Sequence, residues 1–191
     1  MKLKLYHARW SLCSQMVRVA MAEKGLSYES KPIKLCDQYP EAENLSLEYL
    51  AVNPKGIVPS LEIDGEIVTE STNIIKRLNE LSGEIDVDLW PDDVDQDLLN
   101  AWVADTTLTD GVPLGKTLGT AIPPFSVILI NFMVKKYLSF FQAIKVYWKH
   151  PLRDRGRFFL IMKFFNIQKP VAESCYNCLL YTSPSPRDQS G

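Results

Sequence analysis

The sequence has few of the features that mark secreted, membrane-spanning or metal-dependent proteins. It holds only four cysteines and two histidines among 191 residues. Its longest apolar stretch, 127–134, is interrupted by Asn131 and is far too short to cross a bilayer. Lys2 and Lys4 precede no apolar segment of signal-peptide length. Because cysteines without a secretory signal favour a reducing compartment, we expect a cytoplasmic location.

Charge is distributed unevenly although the net charge is only −2. Residues 1–130 carry 20 acidic and 11 basic side chains, whereas residues 131–169 carry 9 basic side chains and one acidic side chain, Asp154. No internal repeat of solenoid length is visible. The asymmetry predicts two units, the first acidic and the second basic.

Residues 1–81 show short strands and amphipathic helices in the order β-α-β-α-β-β-α. The strands are predicted at Leu3–Tyr6, Tyr28–Leu35, Ser60–Ile63 and Glu66–Thr69. The helices are predicted at Ser11–Gly25, near Pro40–Leu50, and at Ser71–Leu81 with Ser71 or Thr72 as N-cap. Pro32 indicates an edge strand, and Asp64-Gly65 predicts a two-residue hairpin turn. In the first helix we expect Val17, Val19, Ala20 and Met21 to face inward and Arg18, Glu23 and Lys24 to face outward.

The later part of the chain has a different composition. Residues 84–97 are acidic with no basic side chain, which indicates a solvated linker. A helical pattern starts near residue 94 and is interrupted by the Gly/Pro-rich stretch 111–124. Residues 179–191 resemble translated sequencing-adaptor read-through, so we expect a non-native tail there. The predicted organisation is a domain at 1–83, a linker at 84–97, a partial helical domain at 98–178 and the tail.

Ser11-Leu12-Cys13-Ser14 lies where the first strand ends and the first helix begins. Backbone N–H groups at a helix N-terminus are unpaired and carry partial positive charge. They stabilise a thiolate placed beside them, whether it belongs to the protein or to a bound ligand. The segment therefore predicts a site for sulfur chemistry. A helix cap at Ser11 with a buried Cys13 is the structural alternative.

Three motifs together resemble those of glutathione transferases. They are Ser11-x-Cys13-Ser14, the segment 53–59 with the sequence Asn-Pro-Lys-Gly-Ile-Val-Pro, and Glu70-Ser71. The Ser-x-Cys-Ser form is similar to the zeta class and to the tetrachlorohydroquinone dehalogenase-like branch. Residues 15–18 and 22–25 also resemble the ganglioside-induced differentiation-associated proteins. The resemblance implies an α/β thioredoxin-like N-terminal domain (βαβαββα) followed by an all-α C-terminal domain, which we expect to be truncated here.

The resemblance also implies roles for individual residues. Ser11 would donate a hydrogen bond to the glutathione sulfur, and Cys13 would form a mixed disulfide with a glutathionyl intermediate. A cis Val58-Pro59 bond would let the Val58 backbone pair with the cysteinyl part of glutathione. Ser71 would bind the γ-glutamyl carboxylate, Glu70 the γ-glutamyl ammonium, and Lys55 the glycyl carboxylate. Ile57 stands where zeta-class proteins carry Gln, so one polar contact is expected to be absent.

Other candidate sites are weaker. Cys175-Tyr-Asn-Cys178 lacks the second ligand pair or strand–helix turn that a zinc or redox site needs, and we expect no metal. His7 and His150 are expected to be structural or exposed, and Cys36 has no evident partner. Lys55 and Glu70-Ser71 also have structural alternatives to ligand binding. Lys55 could be a solvated surface lysine, and Glu70-Ser71 could simply form the start of a helix.

The basic segment 135–169 is rich in aromatic residues. We interpret it as a helix pair with a solvated basic face and an aromatic face turned to the core. A pocket for anionic or aromatic substrates, or contact with an anionic membrane surface, are the alternatives. Nucleic acid is not favoured because no binding motif accompanies the charge.

Two functions remain open at this stage. The first is a glutathione S-transferase, a homodimer when complete, that conjugates or transfers glutathione to a small electrophile. Thiol transfer, reductive dehalogenation or isomerisation would then use Cys13. The second is a non-catalytic binding protein or membrane-associated adaptor of the same fold.

Overall fold

A computed structural model describes residues 1–107 and 116–165, together with Pro170, Glu173 and Asn177. The chain divides into two compact units. The first comprises Met1–Pro91 and Ser139–Arg157, and the second comprises Asp92–Leu138 and the residues from Phe158 onward. The domain boundaries expected from the sequence at residues 83, 97 and 178 stay a prediction.

A four-stranded mixed sheet forms the centre of the first unit. Its strands are β1 (Leu3–His7), β2 (Glu29–Pro32), β3 (Ser60–Ile63) and β4 (Glu66–Thr69), in the spatial order β2-β1-β3-β4. β1 pairs parallel with β2 and antiparallel with β3, and β3 pairs antiparallel with β4. All four predicted strands are confirmed, and β2 is a shorter strand at an edge, as Pro32 indicates. Asp64 (φ 49°) and Gly65 (φ 97°) both have the positive φ of a primed hairpin turn.

Helices cover both faces of this sheet. They are α1 (Leu12–Glu23), α2 (Leu47–Val52), preceded by a 3₁₀ turn at Glu43–Leu45, and α3 (Ser71–Asn79). Neighbouring residues of a strand point to opposite faces, so Leu5 packs in one cluster and Tyr6 in the other. The first cluster joins β1 and β3 to residues of α1 and α3, and the second joins Tyr6 to Ile33, Leu35 and Tyr49. The expected α/β thioredoxin-like fold is confirmed.

The helical periodicity of α1 corrects two sequence expectations. Val17, Ala20 and Met21 are buried as predicted, but Val19 is 58% exposed and Lys24 is buried. Position 24 follows 17, 20 and 21 on one helical face, whereas position 19 lies on the other. The Lys24 amine compensates its burial by donating to the carbonyl oxygens of Asn79 and Val87, both at 3.1 Å.

The seven acidic side chains of the segment 84–97 are all exposed, but its backbone is anchored by hydrogen bonds. The Ile85 N–H donates to the Lys24 carbonyl at 3.2 Å, and the Leu89 N–H donates to Asn79 Oδ1 at 2.6 Å. These bonds hold 85–89 against the ends of α1 and α3. The last acidic residues instead begin a helix, since Asp95 Oδ1 accepts from the N–H groups of Asp97 and Leu98.

The rest of the described chain is helical, as predicted. It contains α4 (Gln96–Thr106), α5 (Leu118–Tyr137), α6 (Phe140–Trp148) and α7 (Arg153–Phe164). The expected interruption at 111–124 is wrong for its second half, because a capping box between Thr117 and Thr120 starts α5 at Leu118. Residues 111–115 lie outside the described residues. No helix in the described ranges has the length and apolar character to cross a membrane.

Within the second unit, polar contacts join α5 to the later part of α7. Asn131 Nδ2 donates to the Met162 carbonyl at 2.8 Å. The Lys163 amine donates to the carbonyl oxygens of Val134 (3.1 Å), Lys135 (3.2 Å) and Leu138. These three carbonyls lie in the last turn of α5 and just after it; the Val134 carbonyl also accepts from the Leu138 N–H at 3.3 Å.

Candidate functional site

The sheet brings the three sequence motifs to one end of the first unit. Tyr6 of β1 pairs with Ser60 of β3, and Ser60 pairs with Thr69 of β4. The chain therefore leaves β1 toward Ser11, enters β3 from Pro59 and leaves β4 toward Glu70 at the same end of the sheet. The strand register thus places side by side three separate segments of the chain, 11–14, 53–59 and 70–71.

Ser11 is the N-cap of α1. Its backbone is extended (φ −81°, ψ 119°), and its Oγ accepts from the Ser14 N–H at 3.2 Å. As an acceptor in this bond, the hydroxyl keeps its own hydrogen for donation to a second group. Ser11 is half-buried, so the hydroxyl combines a fixed position with partial access. The helix-cap alternative and the functional one are therefore compatible.

Cys13 and Ser14 play different parts in the first turn of α1. Cys13 is a free, partly exposed thiol in that turn. Ser14 is fully buried, and its Oγ accepts from the Ala8 N–H at 3.2 Å, which ties the incoming loop to the helix. The sequence motif by itself assigns no role to Ser14. Its spacing of three residues from Ser11 is the signal from which this paired arrangement could have been inferred.

The Val58-Pro59 peptide bond is cis, as expected from the resemblance. The preceding carbonyl, of Ile57, accepts from the Tyr49 hydroxyl at 2.6 Å and from Asn53 Nδ2 at 3.0 Å. Burial raises the pKa of Tyr49 to about 12, so its hydroxyl stays a donor. Tyr49 and Asn53 also contact Ser60 Oγ. The sequence does not predict these supporting residues, because nothing in their local pattern distinguishes them from ordinary polar positions.

Lys55 and Glu70 contact each other. Lys55 Nζ lies 2.8 Å from Glu70 Oε1, and the side chains are 56% and 48% exposed. The sequence expectation assigned them to opposite ends of a ligand, and the structure instead forms an ion pair from them. Such exposed pairs contribute less than about 1 kcal/mol, so a ligand with ionic groups could displace the contact at small cost.

The start of α3 differs from the sequence expectation. Ser71 is the first helical residue, and Glu70 occupies the N-cap position with φ 67° and ψ 122°, so the N-cap predicted at Ser71 or Thr72 is wrong. No side chain caps this end of α3. A glutamate with positive φ is conformationally costly, by about 1–3 kcal/mol, and such residues cluster at functional sites.

The remaining candidates are accounted for structurally. Both histidines are buried; His7 Nε2 lies 2.8 Å from Ser30 Oγ, and burial together with the Arg18 charge lowers the pKa of His7. Cys36 is a free, buried thiol with Asn44 Nδ2 3.7 Å from its Sγ, and its backbone N–H donates to Asn44 Oδ1 at 2.7 Å. Burial raises the pKa of Cys36 to about 12, which keeps this thiol protonated.

The cysteine pair and the basic segment remain. Cys175 and Cys178 lie outside the described residues. Within the part that the structure describes, no cluster of three His, Cys, Asp or Glu side chains could hold a metal ion. The aromatic face expected to turn to the core is only partly buried: Tyr147 is buried, whereas Phe141 and Trp148 are 81% and 69% exposed.

Comparison with known proteins identifies the fold of the first unit. Residues 10–81 match the family described as glutathione S-transferase, N-terminal domain. Residues 10–81 are therefore similar to the N-terminal domain of glutathione S-transferases. The crystal structure of a beta-etherase from Sphingobium shares the fold, with a TM-score of 0.68 at 21% identity, over 94% of this chain and 69% of that chain.

Curated relatives point to the same branch as the Ser-x-Cys-Ser motif. A maleylacetoacetate isomerase of Pseudomonas aeruginosa is 43% identical over 79 residues, 41% of this chain and 36% of that protein. A zeta-class glutathione S-transferase of Euphorbia esula is 36% identical over 114 residues, 59% of this chain and 48% of that protein. A tetrachloro-p-hydroquinone reductive dehalogenase of Sphingobium chlorophenolicum is 35% identical over 74 residues, 39% of this chain and 29% of that protein. The chain thus spans less than half the length of these relatives.

Proposed function

We propose that this protein is a glutathione-dependent enzyme that conjugates or transfers glutathione to a small electrophile. The observation that carries the proposal is the convergence of Ser11, Val58-Pro59 and Glu70-Ser71 at one end of the sheet. Glutathione would lie along Val58 with its sulfur at Ser11 and its γ-glutamyl group at the start of α3. Relatives named as isomerases, transferases and a reductive dehalogenase support this reaction range.

Ser11 would act directly on the glutathione sulfur. Its hydroxyl hydrogen donates to the thiolate, and the N-terminus of α1 adds partial positive charge, so both favour the ionised sulfur. The thiolate then attacks the electrophile, forming a C–S bond while the displaced group leaves with the bonding electrons. No histidine is needed as a base, which agrees with the burial of both histidines.

Cys13 would serve thiol transfer. Its thiolate attacks the sulfur of a glutathione-substrate thioether, forming a Cys13–glutathione mixed disulfide while the substrate carbon takes the electron pair and a proton. A second glutathione thiolate then releases Cys13 by forming glutathione disulfide. The partial exposure of Cys13 allows this exchange, whereas the buried Cys36 is excluded from it.

Isothermal titration of glutathione into the full chain, in two buffers of different ionisation heat, tests the proposal. Binding with net proton release is the expected result, because the bound thiol would lose its proton. Ser11→Ala is expected to abolish the proton release, and Cys13→Ala is expected to abolish thiol transfer while conjugation persists. If the unaltered chain does not bind glutathione, or if neither substitution alters either activity, the proposal is wrong.

A matched variant separates catalysis from helix capping. Thr117 caps α5 in the other unit, where its Oγ accepts from the Thr120 N–H at 3.2 Å, the same distance as at Ser11. Thr117→Ala and Ser11→Ala should each cost about 1 kcal/mol of stability through the lost cap. Only Ser11→Ala should change the proton release. A cytoplasmic location and a homodimer complete the proposal and can be checked by fractionation and by analytical ultracentrifugation.

The second candidate function is a membrane-associated adaptor. It is favoured by the outer face of α6, where Phe141 and Trp148 are exposed beside the exposed Lys145 and Lys149. Aromatic and basic side chains on one helix suit an anionic lipid surface. Sedimentation with phosphatidylserine vesicles at low salt is the test, and failure to co-sediment would remove this candidate.

A further inference from the structure

The loop from Lys55 to Pro59, named here the cis-proline loop, is held by a side chain outside the three sequence motifs. Asn44 Nδ2 donates to the Gly56 carbonyl at 2.7 Å. Asn44 is 3% exposed and lies in the short 3₁₀ turn before α2. Leaving a buried carbonyl without a hydrogen-bond donor is unfavourable in free energy. The bond from Asn44 therefore fixes the position of the Gly56 peptide.

The fit between Asn44 and Gly56 is also steric. Gly56 has φ +65°, and a Cβ atom placed there would lie 3.0 Å from the Asn44 carbonyl oxygen. The glycine therefore allows both the left-handed backbone and the close approach to the 3₁₀ turn. The cis-proline loop and the turn at Asn44 thus fit together as one unit.

A second set of bonds continues from Asn44 to α6. Asn44 Oδ1 accepts from the Cys36 N–H at 2.7 Å, and the Cys36 carbonyl accepts from the Tyr147 hydroxyl at 2.9 Å. Burial raises the pKa of Tyr147, so its hydroxyl remains a donor. All these groups belong to the first unit. They connect a helix more than 80 residues later in the chain with the cis-proline loop.

We propose that Asn44 is the positioning residue of the cis-proline loop, and that Tyr147 supports it through the Cys36 peptide groups. This inference rests on the proposed function, because it assigns to Asn44 the conformation in which Val58 binds glutathione. Asn44 itself touches no substrate. Its loss releases the Gly56 carbonyl and lets the backbone at Val58 leave the binding position.

Two readouts test the proposal on the full chain. The first is the rate of native tryptic cleavage after Lys55, which reports opening of the loop without any ligand. The second is the Kd of glutathione by calorimetry. Asn44→Ala is expected to speed the cleavage and to raise the Kd, each about tenfold.

Two further variants test the individual hydrogen bonds of this set. Asn44→Asp keeps an oxygen for the Cys36 N–H but replaces the donor to Gly56 by a carboxylate, so it should match Asn44→Ala. Tyr147→Phe removes the more distant bond, to the Cys36 carbonyl, and should raise both quantities about threefold. It serves as the test if either change at Asn44 prevents folding.

The matched control is Asn79→Ala. Asn79 Oδ1 also accepts from a backbone N–H, that of Leu89 at 2.6 Å, but at the end of α3 opposite Ser71. It should lower stability without changing cleavage at Lys55 or the glutathione Kd. The proposal is overturned if the Asn44 variants cleave no faster than Asn79→Ala, or if they cleave faster but bind glutathione as the unaltered chain does. Absence of glutathione binding in the unaltered chain would instead overturn the proposed function, while the cleavage rates still decide the role of Asn44.

Discussion

The sheet region, residues 1–83, and the helical region, residues 96–165, differ in how they bury large apolar side chains. In the sheet region, Leu5, Met21 and Leu61 have no exposed surface. In the helical region, α4, α5 and α6 keep Trp102, Phe132 and Trp148 between 57% and 69% exposed. A sheet covered on both faces can bury every second side chain of a strand on each face, whereas a helix buries one stripe against one neighbour.

The two regions also differ in their similarity to the matched family. The family match covers residues 10–81, which is nearly the whole sheet region and none of the helical region. The region with the better-buried core is therefore also the region that matches the family and holds the candidate site.

Replacing a buried and an exposed leucine should show the largest contrast between the regions. Leu61→Ala in β3 is expected to lower the free energy of unfolding by about 2–5 kcal/mol, because it leaves a cavity among the residues of the first cluster. Leu98→Ala in α4, where the side chain is 58% exposed, should change it by less than about 0.5 kcal/mol. Urea unfolding followed by circular dichroism measures both. Equal losses would mean that the exposed face of α4 is covered in solution.

The two histidines allow a comparison by pH. Burial, with the Arg155 charge as a second cause, lowers the pKa of His150 to about 4 from an ordinary value of 6.5. Above pH 6.5 the ring is neutral in both states. As the pH falls from 6.5 to 4, the unfolded chain binds a proton that the folded chain does not, so stability falls by about 3 kcal/mol.

Substitution isolates this contribution. His150→Asn should flatten the loss of stability between pH 6.5 and 4, as measured by urea unfolding at several pH values. His7→Asn in the sheet region should flatten it in the same direction, since the pKa of His7 is lowered by burial first and by the Arg18 charge second. A pH profile of His150→Asn identical to that of the unaltered chain would show that the ring is accessible in the folded state.

Substitution of two lysines should give the smallest changes in stability. Here the larger loss is expected in the helical region and the smaller one in the sheet region. Lys163→Met in the helical region removes a donor from three carbonyls and should cost about 1–3 kcal/mol. Lys55→Met in the sheet region breaks the exposed pair with Glu70 and should cost less than about 1 kcal/mol. Thermal unfolding at low salt and at about 0.5 M salt compares the two variants. The higher salt concentration screens the exposed ion pair, because the screening length is already only about 10 Å at about 0.1 M. A larger loss for Lys55→Met would show that the pair stabilises the cis-proline loop.

Local patterns predicted most of the sheet region because its elements are short and bounded by clear signals. The alternation in Ser60–Ile63, the Asp64-Gly65 turn and the N-cap at Ser11 each depend on residues within a few positions. The burial of Lys24 and the bonding of 85–89 were not predicted, since both depend on carbonyls supplied by other parts of the chain. The start of α3 was misplaced because the positive φ of Glu70 overrides the usual preference for a serine cap.

The candidate site divides in the same way. The sequence predicts the residues whose types and spacing match the three motifs. These are Ser11, Cys13, Val58, Pro59, Glu70 and Ser71. The contact of Lys55 with Glu70 and the support of the loop by Tyr49, Asn53 and Asn44 required the structure. Buried amides and hydroxyls become informative only when their hydrogen-bond partners are known.

The sequence by itself determined the order of strands and helices, the similarity of residues 10–81 to the glutathione S-transferase N-terminal domain, and the position of a thiol and a hydroxyl at a helix N-terminus. These follow from periodicity and from residues that act on their own neighbourhood. Only the tertiary structure decided which distant residues meet. The register of β1, β3 and β4 brings three motifs together, and Asn44 holds Gly56 in place, because these contacts join residues that are up to 60 positions apart along the chain.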